Sequence, residues 1–214
     1  MPTPKHAVIS AAGLGSRLEL NMPKCLVEIA GRKIIDYQLD LLCEIEDLRI
    51  VVGFMEEAVI SHVREMRSDV LFVRNPDYQT TSNSYSLYLA TKDLHEPFVA
   101  MDGDLLIDQR SFSQFLTRCQ GPESLIGITE SKTEEAVFVE LDETGEKVIA
   151  FTREKKLDYE WCGLAYLANF TVHCNEGYLY REIEKHVPLP AQKITCFEID
   201  TPEDLNAAIR NFKP

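Results

Sequence analysis

The feature that most constrains this chain is a glycine-containing turn directly behind a short apolar segment. Residues 6–10 have the character of a first β-strand, and Gly13 and Gly15 follow almost at once. Glycines let the backbone turn sharply and approach a ligand closely, and successive N–H groups that face one concavity bind phosphate oxygens. Arg17 and Lys24 come soon afterwards and can neutralise the charge of such a ligand. The sequence therefore predicts a phosphate-binding turn at the carboxyl end of a first strand.

Composition limits the classes of protein to consider. With 214 residues and 45% hydrophobic content, the chain is long enough for one well-packed domain, which we expect to span residues 1–214. A net charge of −13 has the wrong sign for gripping nucleic acid or an anionic membrane. No segment reaches the roughly 18 apolar residues of a membrane span.

The six cysteines show no C-x-x-C spacing and no clustering with histidine. The sequence therefore indicates neither a zinc site nor a disulfide framework, and it favours reduced thiols in a cytoplasmic protein.

Strand and helix patterns alternate through the first half of the chain. Buried strands are predicted at residues 48–53, 70–73 and 97–101, with helices at residues 34–42, 56–66 and 84–94 between them. Such alternation is typical of a parallel sheet with helices on both faces. The predicted fold class is thus α/β, a Rossmann-like three-layer α/β/α arrangement around a mostly parallel, mixed sheet.

The second half of the chain begins differently. Residues 124–168 contain apolar segments separated by turn residues, and residues 142–145 suit a hairpin. We expect this region to form a small antiparallel extension of the sheet that lies as a lid over one end. Residues 25–29 are predicted to be extended, and residues 195–199 are predicted to form a strand. Thr201 and Pro202 indicate the start of a last helix.

The glycine turn also has alternative interpretations. A dinucleotide-binding unit requires a third glycine where this chain has Leu18, and the pattern G-x-x-x-x-G-K-[ST] is absent. A turn with a purely structural purpose leaves Arg17 and Lys24 without a role.

Carboxylates follow two apolar strands. Asp102 and Asp104 end the strand at residues 97–101, and Glu198 and Asp200 end the strand near the C-terminus. Open α/β sheets place their ligand crevice at strand ends, and carboxylates are suitable ligands for Mg²⁺. If the sheet brings Asp104 and Asp200 together, one metal ion can join them. The alternatives are a solvated turn for the first pair and helix capping for Asp200.

Two further segments allow both a functional and a structural interpretation. The polar loop 80–87 holds more amide and hydroxyl groups than one helix cap needs. Its functional interpretation is contact with a nucleobase or a substrate, and its structural interpretation is an N-cap. Trp161 follows Asp158, Tyr159 and Glu160, and aromatic rings beside carboxylates can bind an ammonium group, although a lone tryptophan more often packs in the core.

Together these motifs resemble the nucleotidyltransferase family. The resemblance rests on A-A-G-L-G-S-R with a following P-K, D-G-D at a strand end and E-I-D near the C-terminus, and it covers essentially the whole chain. The segment T-T-S-N-S-Y-S-L-Y-L-A is similar to that of small cytidylyltransferases acting on phosphocholine, aminoethylphosphonate or phosphoglutamine. Two positions depart from the pattern: Ser10 replaces an aliphatic residue, and Ser82 stands where many phosphocholine-type members have Asn.

The resemblance implies roles for individual residues. It implies catalytic roles for Arg17 and Lys24, which contact the triphosphate, and a Mg²⁺ site at Asp104 and Asp200. Nucleotide binding is implied for Ala11, Ala12, Gly13, Leu14, Gly15, Ser16, Arg17, Lys24, Thr81, Ser82, Asn83, Ser84 and Asp102. Acceptor binding is implied for Tyr85, Tyr159, Trp161 and Glu198.

The implied reaction is Mg²⁺-dependent transfer of a cytidylyl group from CTP to a small phosphorylated or phosphonate acceptor. The expected partners are CTP and that acceptor, without nucleic acid or membrane, in a monomer or a homodimer. A sugar-1-phosphate nucleotidyltransferase and a non-catalytic nucleotide-binding module remain as alternatives.

Overall fold

The protein is described by a computed structural model that covers residues 4–132, 135–174 and 177–213. In these residues the strands are β1 (His6–Ala11), β2 (Glu28–Ile29), β3 (Arg32–Lys33), β4 (Asp47–Val52), β5 (Leu71–Arg74), β6 (Phe98–Asp102), β7 (Leu105–Ile107), β8 (Leu125–Glu130), β9 (Phe138–Leu141), β10 (Lys147–Thr152), β11 (Tyr159–Leu167), β12 (Leu189–Lys193) and β13 (Cys196–Glu198). The helices are α1 (Ile34–Leu41), α2 (Glu56–Met66), α3 (Asn83–Thr91), α4 (Gln109–Arg118), α5 (Leu179–Ile183) and α6 (Pro202–Asn211).

Nine strands of the described residues form one sheet in the order β5-β4-β1-β6-β11-β8-β12-β10-β9. Strands β5, β4, β1 and β6 run parallel, whereas β11 is antiparallel to both β6 and β8. The predicted α/β fold with a mixed sheet and an antiparallel extension is therefore confirmed. Whether that extension acts as a lid stays a prediction.

Helices cover both faces of the sheet. Because successive side chains of a strand point to opposite faces, Ala7 and Ile9 of β1 pack in one core while Val8 packs in another. The first core includes apolar residues of α1, α2 and α4, and the second includes those of α3 and α5. The central strands are consequently buried between two helical layers, and their carboxyl ends form one edge where loops meet. Among the described residues, no helix has both the length and the apolar character needed to cross a bilayer.

Several local predictions are confirmed. Thr201 caps α6 by accepting a hydrogen bond from the Asp204 N–H, and Pro202 occupies the first turn of the helix. The hairpin turn between β9 and β10 closes where the Gly145 N–H donates to the Asp142 carbonyl at 3.0 Å. Side-chain capping and turn chemistry are local properties, which explains why the sequence alone indicates them.

Two predictions about strands were incomplete. Residues 24–26 form a 3₁₀-helix and not an extended piece, because the Leu26 N–H donates to the Pro23 carbonyl at 2.9 Å and only Glu28–Ile29 pairs as a strand. The strand predicted at residues 195–199 exists as β13, but it pairs with β7 in a separate two-stranded ribbon. A third difference is small: α3 ends at Thr91, where the prediction continued to residue 94.

Candidate active site

The glycine turn connects β1 to a short 3₁₀-helix, Ser16–Leu18. Gly15 has a φ of 61°, a left-handed conformation that glycine adopts without steric cost. A β-carbon on Gly15 would lie 2.8 Å from Cγ of Lys24. The absence of a side chain at residue 15 therefore leaves the space through which the Lys24 side chain passes.

Lys24 contacts both predicted metal ligands. Its Nζ donates a hydrogen bond to Asp104 Oδ2 at 2.7 Å and another to Asp200 Oδ1. Arg17 Nη2 also donates to Asp200 Oδ2, at 2.5 Å. Burial opposes the charge on Lys24, but the carboxylates of Asp104 and Asp200 outweigh it and raise the pKa of the ammonium group. Lys24 is therefore cationic at every physiological pH.

The ribbon of β7 and β13 brings the two aspartates together. Leu105 pairs with Glu198 in this ribbon, and the Ile199 N–H donates to the Asp104 carbonyl at 3.0 Å. Residues 104 and 200 therefore lie side by side at the end of the ribbon, although they are distant in the sequence.

Asp102 is held below this pair, at the end of β6. It pairs in register with Ser10 of β1, and its carbonyl accepts a hydrogen bond from Gln38 Nε2 at 2.9 Å. Burial, the negative charge of Asp104 and, to a smaller degree, that of Asp200 raise the pKa of Asp102 to about 8, while Lys24 opposes the shift. The crowding of carboxylates also affects Glu198, whose pKa is raised by enclosure within the site and then by the neighbouring aspartates.

The acidic residues fit a divalent cation. One carboxylate oxygen from each of Asp104, Glu198 and Asp200 lies within 4.8 Å of the others. Oδ1 of Asp104 is buried, and among the described residues it has no hydrogen-bond partner. A buried carboxylate oxygen without a donor is costly, and a hard cation satisfies it. Both observations support a metal at Asp104 and Asp200, with Glu198 beside it.

These groups line a cavity of about 520 Å³. Of the predicted residues, the cavity wall includes Ala11, Ala12, Gly13, Gly15, Arg17, Lys24, Thr81, Ser82, Asn83, Asp102, Asp104, Trp161, Glu198 and Asp200. The structure thus brings residues from the first strand, the polar loop, the β6 end and the last ribbon into one space. Its size falls within the usual range for small-molecule sites.

Five predicted residues are outside the wall of this cavity. They are Leu14, Ser16, Ser84, Tyr85 and Tyr159. Leu14 is 39% exposed, Ser84 is completely buried, and the Tyr85 ring lies beside that of Tyr88. The Tyr159 hydroxyl accepts a hydrogen bond from Lys193 Nζ at 2.6 Å. The structure therefore leaves these residues without a visible contact to the site.

The polar loop is used partly to hold the cavity wall together. Ser82 is at the N-cap of α3 but makes no side-chain cap, and its Oγ donates to the Gly177 carbonyl instead. Asn83 Oδ1 accepts from the Leu179 N–H at 3.3 Å. The loop thus joins α3 to the start of α5, across the cavity.

Part of the cavity wall is aromatic and carries both signs of charge. Trp161 is buried, and its indole N–H donates to the Leu164 carbonyl at 3.1 Å. Tyr178 and Tyr180 stack with ring centroids 6.1 Å apart, and the Arg153 guanidinium lies 5.6 Å from the Tyr178 centroid.

Sequence reasoning missed several residues of this wall: Arg153, Tyr178 and Tyr180, with Lys132, Cys162 and Cys196. Arg153 lies in a charged run, Cys162 directly follows Trp161, and Cys196 lies two residues before Glu198, but the residue types at these positions did not mark them as part of a site. For these residues the sequence offers no pattern, because only the packing of β11, β13 and α5 brings them together.

Comparisons with known proteins agree with this geometry. Residues 7–160 match the family described as the MobA-like NTP transferase domain. A choline-phosphate cytidylyltransferase from Streptococcus pneumoniae is 38% identical over 117 residues, which cover 52% of this chain and 50% of that protein. A CTP:phosphoglutamine cytidylyltransferase from Campylobacter jejuni is 30% identical over 115 residues, covering 51% of this chain and 45% of that protein. The matches thus span about half the length of these curated relatives.

A solved structure extends the similarity to the whole fold. The structure of CTP:phosphocholine cytidylyltransferase from Streptococcus pneumoniae has a TM-score of 0.81 to this protein and covers 98% of this chain and 100% of that chain. Their sequence identity is 24%, so this likeness concerns the fold alone.

Proposed function

This chain belongs to the MobA-like NTP transferase domain family, and we propose that it transfers a cytidylyl group from CTP to a small phosphorylated or phosphonate acceptor. The observation that carries the proposal is the meeting of Lys24 with Asp104 and Asp200 in one cavity. A cation for the triphosphate and a carboxylate pair for a metal are the two components that nucleotidyl transfer requires.

The nucleotide is proposed to bind across the glycine turn. Gly13 faces open space, since a β-carbon there would meet no atom within 4 Å, so a phosphate group can approach the backbone closely. Arg17 and Lys24 supply positive charge beside the turn, and nucleotide binding exchanges part of their carboxylate contacts for phosphate contacts. Thr81 and Asn83 line the same cavity and are proposed to face the base, Asn83 through its side-chain NH2 group, because its Oδ1 already accepts from the Leu179 N–H.

The proposed reaction is a single displacement at the α-phosphorus of CTP. An acceptor oxygen forms a new P–O bond while the bond to the β-phosphate oxygen breaks, and pyrophosphate leaves with the electron pair. A phosphomonoester has its second pKa near about 6, so the attacking oxygen is largely deprotonated at neutral pH and requires no general base. The task of the protein is therefore to hold two polyanions together and to neutralise their charge.

Mg²⁺ is the cation proposed for Asp104 and Asp200. When bound there, it supplies Lewis-acid charge neutralisation at the phosphate oxygens. Asp102 is separated from Asp104 by Gly103. It is proposed to hold the backbone before Asp104 in place through its pairing with Ser10 and its hydrogen bond from Gln38.

An acceptor that carries an ammonium group is favoured over a neutral one. Glu198 and the rings of Tyr178 and Tyr180 line the same cavity, and aromatic faces with a carboxylate attract ammonium groups. The relatives named above are described by phosphocholine and phosphoglutamine, which supports a small phosphorylated acceptor for this chain as well.

The test is pyrophosphate release in a grid of the four nucleoside triphosphates against phosphocholine, aminoethylphosphonate, phosphoglutamine and several sugar 1-phosphates, with and without Mg²⁺. The proposal expects release only with CTP, Mg²⁺ and a small phospho-acceptor, and it expects a CDP-linked product by mass spectrometry. Pyrophosphate release with a sugar 1-phosphate would contradict the proposal and would indicate synthesis of a nucleotide sugar. Tight CTP binding with no release for any acceptor would indicate a non-catalytic nucleotide-binding module.

A further inference from the structure

Two cysteine thiols contact each other in the wall of the cavity. Cys162 belongs to β11 and Cys196 to β13, and both residues are only 2% exposed. Their thiols are hydrogen-bonded to one another, and the side chain of Thr129 also hydrogen-bonds to Cys196. Both cysteines line the space that holds the acidic residues.

The fold brings the two thiols together through β8. Trp161 pairs with Ile128 of β8, and the Ile194 N–H donates to the Ile128 carbonyl at 2.7 Å. Cys162 is the residue after Trp161, and Cys196 lies two residues after Ile194. Both cysteines therefore lie close to the same residue of β8, which brings their strands together at this point of the wall.

The other cysteines have different surroundings. All six are free thiols; Cys43 and Cys174 are exposed, whereas Cys25 and Cys119 are buried. The Cys119 thiol donates to the Phe115 carbonyl at 3.2 Å, a local helical contact. These four therefore provide internal controls for a pair whose sulfur atoms face each other.

We propose that Cys162 and Cys196 form a reversible disulfide, with hydrogen peroxide as the oxidant, and that this bond lowers the rate of nucleotidyl transfer. With peroxide, one sulfur attacks a peroxide oxygen and water leaves, giving a sulfenic acid; the second thiol attacks that sulfur and releases a second water. Two thiols lose two electrons and two protons, and one peroxide is reduced to two waters. A dithiol reductant reverses the change.

The disulfide acts on catalysis through its neighbours. Glu198 is two residues beyond Cys196 on the same strand, and side chains at that spacing share one face. Gly163 follows Cys162 and contacts Asp102, because a β-carbon there would lie 2.6 Å from Oδ2. A covalent S–S bond is much shorter than a thiol–thiol contact, so its formation draws β13 toward β11 and displaces both carboxylates.

The experiment uses a Cys43→Ser/Cys174→Ser background, which removes the exposed thiols and retains Cys25, Cys119, Cys162 and Cys196. After treatment with peroxide, the protein is expected to lose two thiols and about 2 Da, with a 162–196 cross-linked peptide in the digest. Transfer activity is expected to fall at least about 10-fold and to return with dithiothreitol. Retention of all four thiols under peroxide that oxidises free glutathione would overturn the proposal.

Variants connect the disulfide to activity. Cys162→Ala and Cys196→Ala, each in that background, are expected to keep most of their own untreated activity after the same peroxide treatment. Cys162→Ser and Cys196→Ser replace them if the alanine variants fail to fold. Equal losses in the background protein and in these variants would also overturn the proposal.

The effect on transfer rests on the proposed function, whereas formation of the disulfide does not. An absence of activity in the reduced protein would contradict the proposed function, and the thiol count and the cross-linked peptide would still decide whether the bond forms. A disulfide that forms without changing the activity of a working enzyme would overturn the link to catalysis.

Discussion

The carboxylate of Asp102 lies directly against the backbone of Gly163, so that a β-carbon at residue 163 would be 2.6 Å from Oδ2. Gly163 has a φ of 75° and lies where the register between β11 and β8 shifts. The irregularity in β11 therefore makes room for a buried carboxyl group at the end of β6.

Gly163→Ala is expected to damage both stability and activity. The left-handed backbone costs an alanine roughly 1 kcal/mol or more, and the contact with Asp102 adds to that cost. Gly121→Ala is the matched control, since it has the same φ of 75° but no atom within 4 Å of the added carbon. In chemical denaturation we expect Gly163→Ala to lose at least about 1 kcal/mol more than the control. Equal losses would mean that the contact with Asp102 has no energetic weight.

Lys24→Ala is expected to lower turnover at least about 100-fold, the scale seen when one preorganised electrostatic group is removed. Its ammonium group contacts both Asp104 and Asp200, so the variant also removes the cation beside Asp104 and leaves Asp200 with Arg17 alone. Lys147→Ala, at an exposed position of β10, is the control. Steady-state pyrophosphate release measures the effect, and a rate near that of the control would remove Lys24 from the catalytic site.

Asp200→Ala is expected to raise the Mg²⁺ concentration needed for half-maximal activity while the fold stays intact. The competing role is helix capping, and Asp204 provides the comparison because its carboxylate accepts from the Thr201 N–H at 2.9 Å. Asp204→Ala should lower the free energy of unfolding by about 1 kcal/mol without changing the Mg²⁺ requirement. A Mg²⁺ titration that is identical for wild type and Asp200→Ala would reduce Asp200 to a structural residue.

Asp47 is expected to stabilise the start of the sheet in a pH-dependent way. Its partial burial opposes ionisation, but hydrogen bonds from Arg49 and His6 outweigh that effect and lower its pKa. A folded-state pKa below the unfolded value gives stability that is present above the unfolded pKa and is lost as pH falls through the folded pKa. Asp47→Asn should therefore cost about 1 kcal/mol at pH 7 and progressively less below about pH 4.

Asp69→Asn is the control for that measurement. Its carboxylate pairs with Arg67 and its pKa is also lowered, but it is 61% exposed, so water screens the pair. Urea unfolding at several pH values should show a smaller change for this variant. A constant difference between Asp47→Asn and wild type at all pH values would contradict the assignment.

Much of the fold could be predicted because its signals are local. The buried strands at residues 48–53 and 97–101 are runs of apolar residues, and Thr201 followed by Pro202 indicates the start of α6. The turn at Gly13 and Gly15 is equally local. The extended piece predicted at residues 25–29 was wrong in its first part, where residues 24–26 form a 3₁₀-helix with Cys25 and Leu26 buried.

The site could be predicted only in part. Asp104 and Asp200 were paired as a hypothesis because both follow apolar strands, but the strand that joins them, β7, has three residues and gives no periodic signal. Arg153 follows β10, and Tyr178 and Tyr180 lie at the start of α5. The packing that brings these two segments together cannot be predicted from a sequence motif. Tyr85 and Tyr159 show the reverse case, since their nearness to a motif predicts acceptor contact but the cavity wall does not include them.

The ribbon of β7 and β13 also makes one half of the carboxylate pair depend on the C-terminal part of the chain. Its contacts join segments that are far apart in the sequence, since Ile107 pairs with Cys196. The strands around the glycine turn, β1, β4 and β6, pair with one another without the ribbon. Detachment of β13 is therefore expected to leave the glycine turn and its strands in place while it removes Asp200 from the side of Asp104.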